Sequence, residues 1–222
     1  MIIAIDGPAA SGKSTVAKAV ARRLGIRHLD TGAMYRAVTW LALHEGVDTT
    51  DADALTQRAA ACPVEFEYAD GASIATAVRI AGHDVTTAVR LPEVDAAVSA
   101  VSAVAGVRSA LVERQRELAD SRDTVAEGRD IGTVVFPSAE VKVYLTASPE
   151  ERARRRKLDL AAQGLAVAQD EVQARLERRD TYDSTRAISP LEAAHDATLL
   201  DTTGLSVEEV VDAIVALTGA SR

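Results

Sequence analysis

The sequence predicts an α/β fold, with a parallel sheet between layers of helix and a small antiparallel sheet inserted into it. Three observations carry that prediction. Apolar runs of strand length alternate with helical spacing along most of the 222 residues, and such alternation builds parallel sheets covered by helices. The first strand and the first helix are joined by Gly7-Pro8-Ala9-Ala10-Ser11-Gly12-Lys13-Ser14, a GxxxxGK[ST] run in the strand–loop–helix setting that the motif requires. Only the stretch from Val64 to Val85 breaks the alternation, with short strands around Asp70-Gly71.

Ile2 to Ile5 forms a buried strand and Thr15 to Leu24 a helix, with Gly25 as its C′ residue. Between them, Gly7 and Gly12 permit backbone conformations that a Cβ would obstruct. The loop N–H groups and the helix N-terminus offer positive potential to an anion. In such a loop Lys13 reaches the β- and γ-phosphates of a nucleotide and the Ser14 hydroxyl ligates Mg²⁺. Ile26 to Leu29 is a short strand. Thr31 caps the next helix, which includes Ala37 to His44 and places Arg36 in its first turns. An Arg there opposes the helix dipole, so it is expected either to have an anionic partner or to be a solvated surface side chain.

Asp51 to Ala61 is a helix. Val64 to Tyr68 is a strand with Asp70-Gly71 as its hairpin turn, and Ala75 to Ile80 and Asp84-Val85 complete the patch. Pro92 to Val104 is helical, with Pro92 in its first turn. Val94, Val98 and Val101 share a core face, and Ser99 lies between faces. Gly106 separates this helix from the next, Val107 to Ala119, which opens with Arg108.

Thr124 to Glu127 is a second core strand. It runs into Gly128-Arg129-Asp130-Ile131-Gly132-Thr133, and charged residues at the C-terminal end of a buried strand sit where open parallel sheets bind ligands. Val141 to Leu145 is another strand. Ser148, Pro149 and Glu151 open a helix as N-cap, first residue and capping-box partner. That helix carries Arg152, Arg154, Arg155, Arg156 and Lys157 ahead of Gln163-Gly164. Such a run is either a solvated face or a lid that brings Arg over transferring phosphates. Glu171 to Asp180 is helical, with Arg175 and Arg179 one turn apart, and Arg178, Arg179, Asp183 and Arg186 form a second charged cluster. Thr198 to Asp201 is the last strand. Ser206 and Glu209 make a capping box for a helix that reaches Leu217 and stops at Gly219.

Composition narrows the function classes. A hydrophobic fraction of 47% allows a sizeable core, and only 3% aromatic residues means that it is built from Ala, Val, Leu and Ile. The formal net charge of -8 argues against a general nucleic-acid or membrane surface, so a nucleotide must be held by a local Arg cluster. The single Cys62 excludes an internal disulfide and a cysteine-rich metal site; it is expected to be a small buried apolar side chain. Met1 runs straight into the first strand, so no signal peptide is expected. No apolar run approaches the ~18 residues that span a bilayer. A cytoplasmic protein is expected. With neither heptads nor a large unexplained apolar stretch, it is expected to be a monomer.

The chain resembles the bacterial cytidylate kinase family, in the nucleoside monophosphate kinase group. The resemblance runs over nearly the whole chain and rests on IDGPAASGKST from Ile5, LDTGAMYRA from Leu29, EGRDIGTVVFP from Glu127, ASPEERARRR from Ala147 and RRDTYDSTRAISPL from Arg178. It implies a three-layer P-loop fold with a five-stranded parallel sheet, an inserted monophosphate-binding lobe with a small antiparallel sheet, and a short lid. In this reading 1–222 is one kinase domain, with its core at about 1–36, 109–150 and 170–222, the lobe at about 37–108 and the lid at about 151–169.

The activity that the resemblance implies is transfer of the γ-phosphoryl group of Mg-ATP to CMP or dCMP. Gly7, Pro8, Ala9, Ala10, Ser11, Gly12, Lys13, Ser14 and Thr15 would hold ATP, and Ser14 would hold Mg²⁺ with Glu127 in its outer shell. Arg36, Arg129 and Arg186 would grip the acceptor α-phosphate. Ser99, Arg108 and Asp130 would read the cytosine edge, and Arg179 and Asp183 would contact the sugar hydroxyls. Thr31 and Tyr35 complete the substrate set. Arg152, Arg155 and Arg156 match the basic lid run, and Arg155 and Arg156 would join Lys13 and Arg129 as the catalytic cations. Tyr182-Asp183-Ser184-Thr185 stands where some relatives are more basic. Rival readings are a kinase for AMP, UMP, shikimate or dephospho-coenzyme A, a non-catalytic nucleotide-binding module, and a structural protein with a vestigial loop. The Asn-Lys-x-Asp motif of guanine-nucleotide switches is lacking.

Overall fold

The computed structural model describes residues 1–162 and 164–219; Gln163, in the expected lid, lies outside the described residues. The chain runs β1 (Ile2–Asp6), α1 (Lys13–Leu24), β2 (Arg27–Asp30), α2 (Thr31–His44), α3 (Ala52–Ala61), β3 (Glu65–Glu67), β4 (Ala77–Ile80) and β5 (His83–Asp84). It continues with α4 (Pro92–Ala103), α5 (Ala105–Ala119), β6 (Thr124–Gly128), β7 (Val141–Thr146), α6 (Pro149–Ala162), α7 (Gln169–Thr185), β8 (Thr198–Asp201) and α8 (Val207–Leu217). A five-stranded parallel sheet has the order β2-β6-β1-β7-β8, and β3-β4-β5 form a separate antiparallel sheet. In the first, Ile3 to Asp6 lie opposite Val141 to Tyr144, and Val143 to Thr146 lie opposite Thr198 to Asp201. Ile3, Ala4 and Ile5 are fully buried, as continuous apolar strands are when both faces of a parallel sheet are covered. Internal contacts divide the chain into two units, Met1 with Ala21–Ala126, and Ile2–Val20 with Glu127–Arg222.

In the first unit Val94, Val98 and Val101 of α4 are buried, as their shared face requires. Three local expectations need correction. The N-cap of α2 is Asp30, not Thr31: the carboxylate accepts from Ala33 N at 2.8 Å, and Thr31 becomes the first helical residue. Gly106 does not separate α4 from α5. The chain turns through 95° at Val104, and Gly106 lies inside α5. Its missing side chain is a packing requirement, because a Cβ there would stand 2.1 Å from Thr56 Oγ1 on α3. Cys62 is half-buried at the C-cap of α3 rather than buried. Asp70-Gly71 does form a turn, but it lies within a wider connection, since Glu67 pairs with Ala77.

In the second unit the buried side chains of Ala153, Val172 and Leu176 pack with Leu160 and Val167, and with Ala9 and Ala10 of the loop after β1. Ser206 and Glu209 form the expected capping box. At α6 only half of it forms. Ser148 Oγ accepts from Glu151 N at 3.2 Å, but Arg154 and Arg155 take the Glu151 carboxylate and hold it down to about 2. No single helix among the described residues is long and apolar enough to cross a membrane.

Gly106→Ala should destabilise the fold by about 1–3 kcal/mol, the cost of overpacking a close helix–helix contact. The denaturant midpoint measures this, and an unchanged midpoint would show that α3 and α5 separate freely.

Candidate functional site

The loop from Gly7 to Gly12 is shaped by positive φ at Gly7 (148°), Ala10 (59°) and Gly12 (92°). A Cβ on Gly7 would stand 2.1 Å from the carbonyl oxygen of Leu145 on β7, so only glycine fits there. Ala10 is left-handed at a cost on the order of 1 kcal/mol, held there by the packing around Ala153, Val172 and Leu176.

Cationic side chains cover the loop's carbonyls. Arg129 Nη1 donates to Gly7 O at 3.1 Å and Lys13 Nζ to Pro8 O at 2.6 Å. Arg152 Nη1 donates to Ala9 O at 3.3 Å, and Arg155 Nη1 to Ser11 O at 3.2 Å. With these carbonyls so used, and with Ala9 N and Ser11 N donating to Asp180 Oδ1 and Pro8 O, the loop's other N–H groups and the surrounding positive charge are what it offers an anion. The cations are themselves anchored. Arg129 Nε donates to Asp183 Oδ2 at 3.0 Å, and Arg186 lies 3.9 Å from the other oxygen of the same carboxylate. Arg155 donates to the hydroxyl and carbonyl of Thr202, both at 2.9 Å. Arg152 pairs with Asp180, whose second oxygen accepts from Ala9 N. Lys13 is buried beside Arg129, and burial first and that charge second push its amine down to about 7. Ser14 Oγ donates to Glu127 Oε2 at 2.8 Å.

The first unit gathers a different set. Arg36 finds an anionic partner, donating to Asp95 Oδ1 at 2.5 Å and to Val89 O at 3.3 Å. Tyr35 and Thr31, one turn apart on α2, are buried. The Arg108 guanidinium lies 5.3 Å from the Tyr35 ring centroid, within cation–π range, and donates to Ser102 O at 3.1 Å. Ser102 Oγ in turn donates to Ser99 O at 3.0 Å.

The first unit therefore brings together Tyr35, Ser99 and Arg108, and holds Arg36 on Asp95. The second brings together Lys13, Ser14, Arg129, Arg155, Asp183 and Arg186, and it also contains the buried Asp130. Thr15 is exposed in the first turn of α1, Arg156 is half-buried on α6 and Arg179 half-buried on α7. Sequence reasoning passed over Asp6, Asp95, Asp180 and Thr202. For Asp180 a signal was present: it precedes Asp183 by three residues, which places both on one face of α7. Thr202 carried none.

Asp180→Asn keeps an oxygen for the Ala9 amide but removes the charge opposite Arg152. Breaking a largely buried pair costs roughly 3 kcal/mol, so the denaturant midpoint should fall and the dissociation constant for a nucleoside triphosphate should rise. Both staying at wild-type values would show that Arg152 does not depend on Asp180.

Comparison with known proteins identifies the family of the chain. The family model for cytidylate kinase matches residues 3–219. A bifunctional pantoate ligase/cytidylate kinase from Synechococcus sp. (strain JA-2-3B'a(2-13)) is 53% identical over 216 residues, covering 97% of this chain and 40% of that protein. The chain thus spans less than half the length of the bifunctional relatives it matches. A cytidylate kinase from Desulfitobacterium hafniense (strain Y51) is 50% identical over 215 residues, covering 97% of this chain and 91% of that protein. An uncharacterized protein from Eubacterium ventriosum ATCC 27560 shares the fold alone, with a TM-score of 0.54, 11% identity, and coverage of 100% of this chain and 99% of its own. On the family match and these identities, the chain belongs to the cytidylate kinase family.

Proposed function

We propose that this protein transfers the γ-phosphoryl group of ATP to CMP or dCMP, giving ADP and the nucleoside diphosphate. The observation that supports it most is the loop Gly7–Ser14, with Lys13, Arg129, Arg152 and Arg155 each hydrogen-bonded to one of its carbonyls. Phosphoryl transfer needs no protein nucleophile. It needs two polyanions positioned in line and positive charge on the transferring group, and this arrangement suits that need.

Lys13 and the loop amides hold the ATP phosphates. Arg155 and Arg156, on a lid of about 151–169, take the transferring group. Arg36, Arg129 and Arg186 take the acceptor α-phosphate, and Arg179 and Asp183 the sugar. Within a monophosphate-binding lobe of about 37–108, Ser99 and Arg108 read the base together with Asp130. Cytosine presents an amino donor at N4 and acceptors at N3 and O2, so a carboxylate accepts from the first and Arg108 donates to the others. Uracil reverses two of those polarities and is rejected. Thr31 and Tyr35 complete the substrate-binding set.

Mg²⁺ fits the chemistry of Ser14 and Glu127, a hydroxyl and a carboxylate 2.8 Å apart. Such an ion would draw most of its ligands from substrate phosphates and water. Held by Ser14 and Glu127, Mg²⁺ would supply charge neutralisation at the β- and γ-phosphates.

The test is a panel of CMP, dCMP, UMP and AMP as acceptors with ATP. The two cytidylates should be phosphorylated far faster; equal rates with UMP or AMP contradict the assignment. Lys13→Ala should abolish turnover and leave the fold intact. Asp130→Ala should erode the preference for CMP over UMP. Arg36→Ala should lower kcat/KM by ~10²-fold or more, the worth of a charge-assisted bond of about 3 kcal/mol; a change below about twofold would remove Arg36 from the phosphate site.

A further inference from the structure

Asp6 ends β1 and leads directly into the phosphate loop. Its side chain is buried, at 3% exposure, although no motif reading assigns it a task. Its two oxygens accept from consecutive backbone amides, Oδ1 from Ile131 N at 2.8 Å and Oδ2 from Gly132 N at 2.7 Å. Those amides open the short π-helical turn 131–135, immediately after Arg129 and Asp130. Further along the turn, Val134 N and Val135 N donate to the Asp130 carbonyl at 2.9 and 3.1 Å. The turn is thus fixed at one end by Asp6 and closed on Asp130 at the other. A Cβ on Gly132 would meet Lys142 Cδ at 3.3 Å and Asp6 Oδ2 at 3.4 Å, so the turn lies close against both side chains. Bonds from neutral amides to a carboxylate are among the stronger hydrogen bonds. Two of them on adjacent peptide planes leave the preceding residues little freedom.

We infer that Asp6 is a positioning residue for base selection: by holding the Ile131 and Gly132 amides it aims Asp130, so the carboxylate that precedes the phosphate loop also sets discrimination between cytosine and uracil. This inference rests on the proposed role of Asp130 in reading the base. The chemistry of the carboxyl makes it visible in solution. Burial pushes Asp6 up to about 6, against the pull of the Gly132 and Ile131 amides; Asp130 pushes it further up and Lys13 pulls it down. Tyr144, opposite Asp6 on β7, also faces it, and the stem of Lys142 lies beside Gly132. Ionised Asp6 accepts both amides, and protonated Asp6 gives up one acceptor. The hold on the turn is therefore complete above that pKa and weakens as pH falls through it.

The test pairs nuclear magnetic resonance with kinetics on the full chain. In the wild type without nucleotide, the Ile131 and Gly132 amide resonances should titrate together with a midpoint of about 6, and in Asp6→Asn that titration should vanish. Kinetic constants for CMP and UMP are measured alongside, for the wild type, Asp6→Asn and Asp130→Asn. Asp6→Asn should lower the preference for CMP roughly tenfold or more, with KM for CMP rising more than KM for ATP. Amide resonances indifferent to pH overturn the role of Asp6, as does an Asp6→Asn enzyme that keeps a preference which Asp130→Asn loses. If Asp130→Asn keeps the preference too, the base-reading role of Asp130 fails instead, and the amide titration alone decides whether Asp6 fixes the turn. Should Asp6→Asn not fold, the wild-type titration still supports or overturns the hold on these amides.

Discussion

The site depends on what happens to the carbonyls of one short loop. A chain segment that turns its amides toward an anion must dispose of its own oxygens, because buried carbonyls without partners cost free energy. Here those of Gly7, Pro8, Ala9 and Ser11 are taken by Arg129, Lys13, Arg152 and Arg155. On the proposed function, the same four side chains would also bring positive charge to a bound phosphate, so that one arrangement would serve both folding and catalysis. The acids at Asp180 and Asp183 hold two of these arginines in place.

Concentrating cations in a buried site is unfavourable for the cations themselves. Lys13 bears that most directly, with its amine pushed down to about 7 by burial and by Arg129. Asp6, nearby, is pushed the other way, to about 6. Such opposed shifts between neighbouring groups are characteristic of functional sites, where burial is tolerated because a charged ligand relieves it. On the proposed function a polyphosphate would relieve Lys13, and backbone amides already compensate Asp6 in part.

Much of this was legible in the sequence. Gly7, Gly12 and Lys13 announce themselves because the loop's backbone angles and its phosphate chemistry leave almost no choice of residue. The strand–helix alternation and the Ser206–Glu209 cap are local in the same sense. Legibility ended where a residue's role is set by a distant partner. Asp6 meets residues 125 and 126 positions away, and Asp180 meets Ala9 across 171; neither spacing leaves a pattern. Gly106 shows the opposite error. Sequence reasoning treated it as punctuation, whereas its role comes from Thr56 on another helix. Asp30 displaced Thr31 as a cap because a carboxylate can serve Ala33 N and Arg90 together.

The most direct test of the account is proton uptake on ATP binding, measured by calorimetry at pH 8 in buffers of different ionisation enthalpy. With Lys13 at about 7, roughly nine-tenths of it is neutral at that pH. The phosphates are already ionised there, their second pKa being about 6. Binding should therefore take up close to one proton from the buffer, and Lys13→Met should take up none. Tight binding to the wild type with no proton uptake would contradict the claim that the loop's buried lysine is charged by the phosphates it holds.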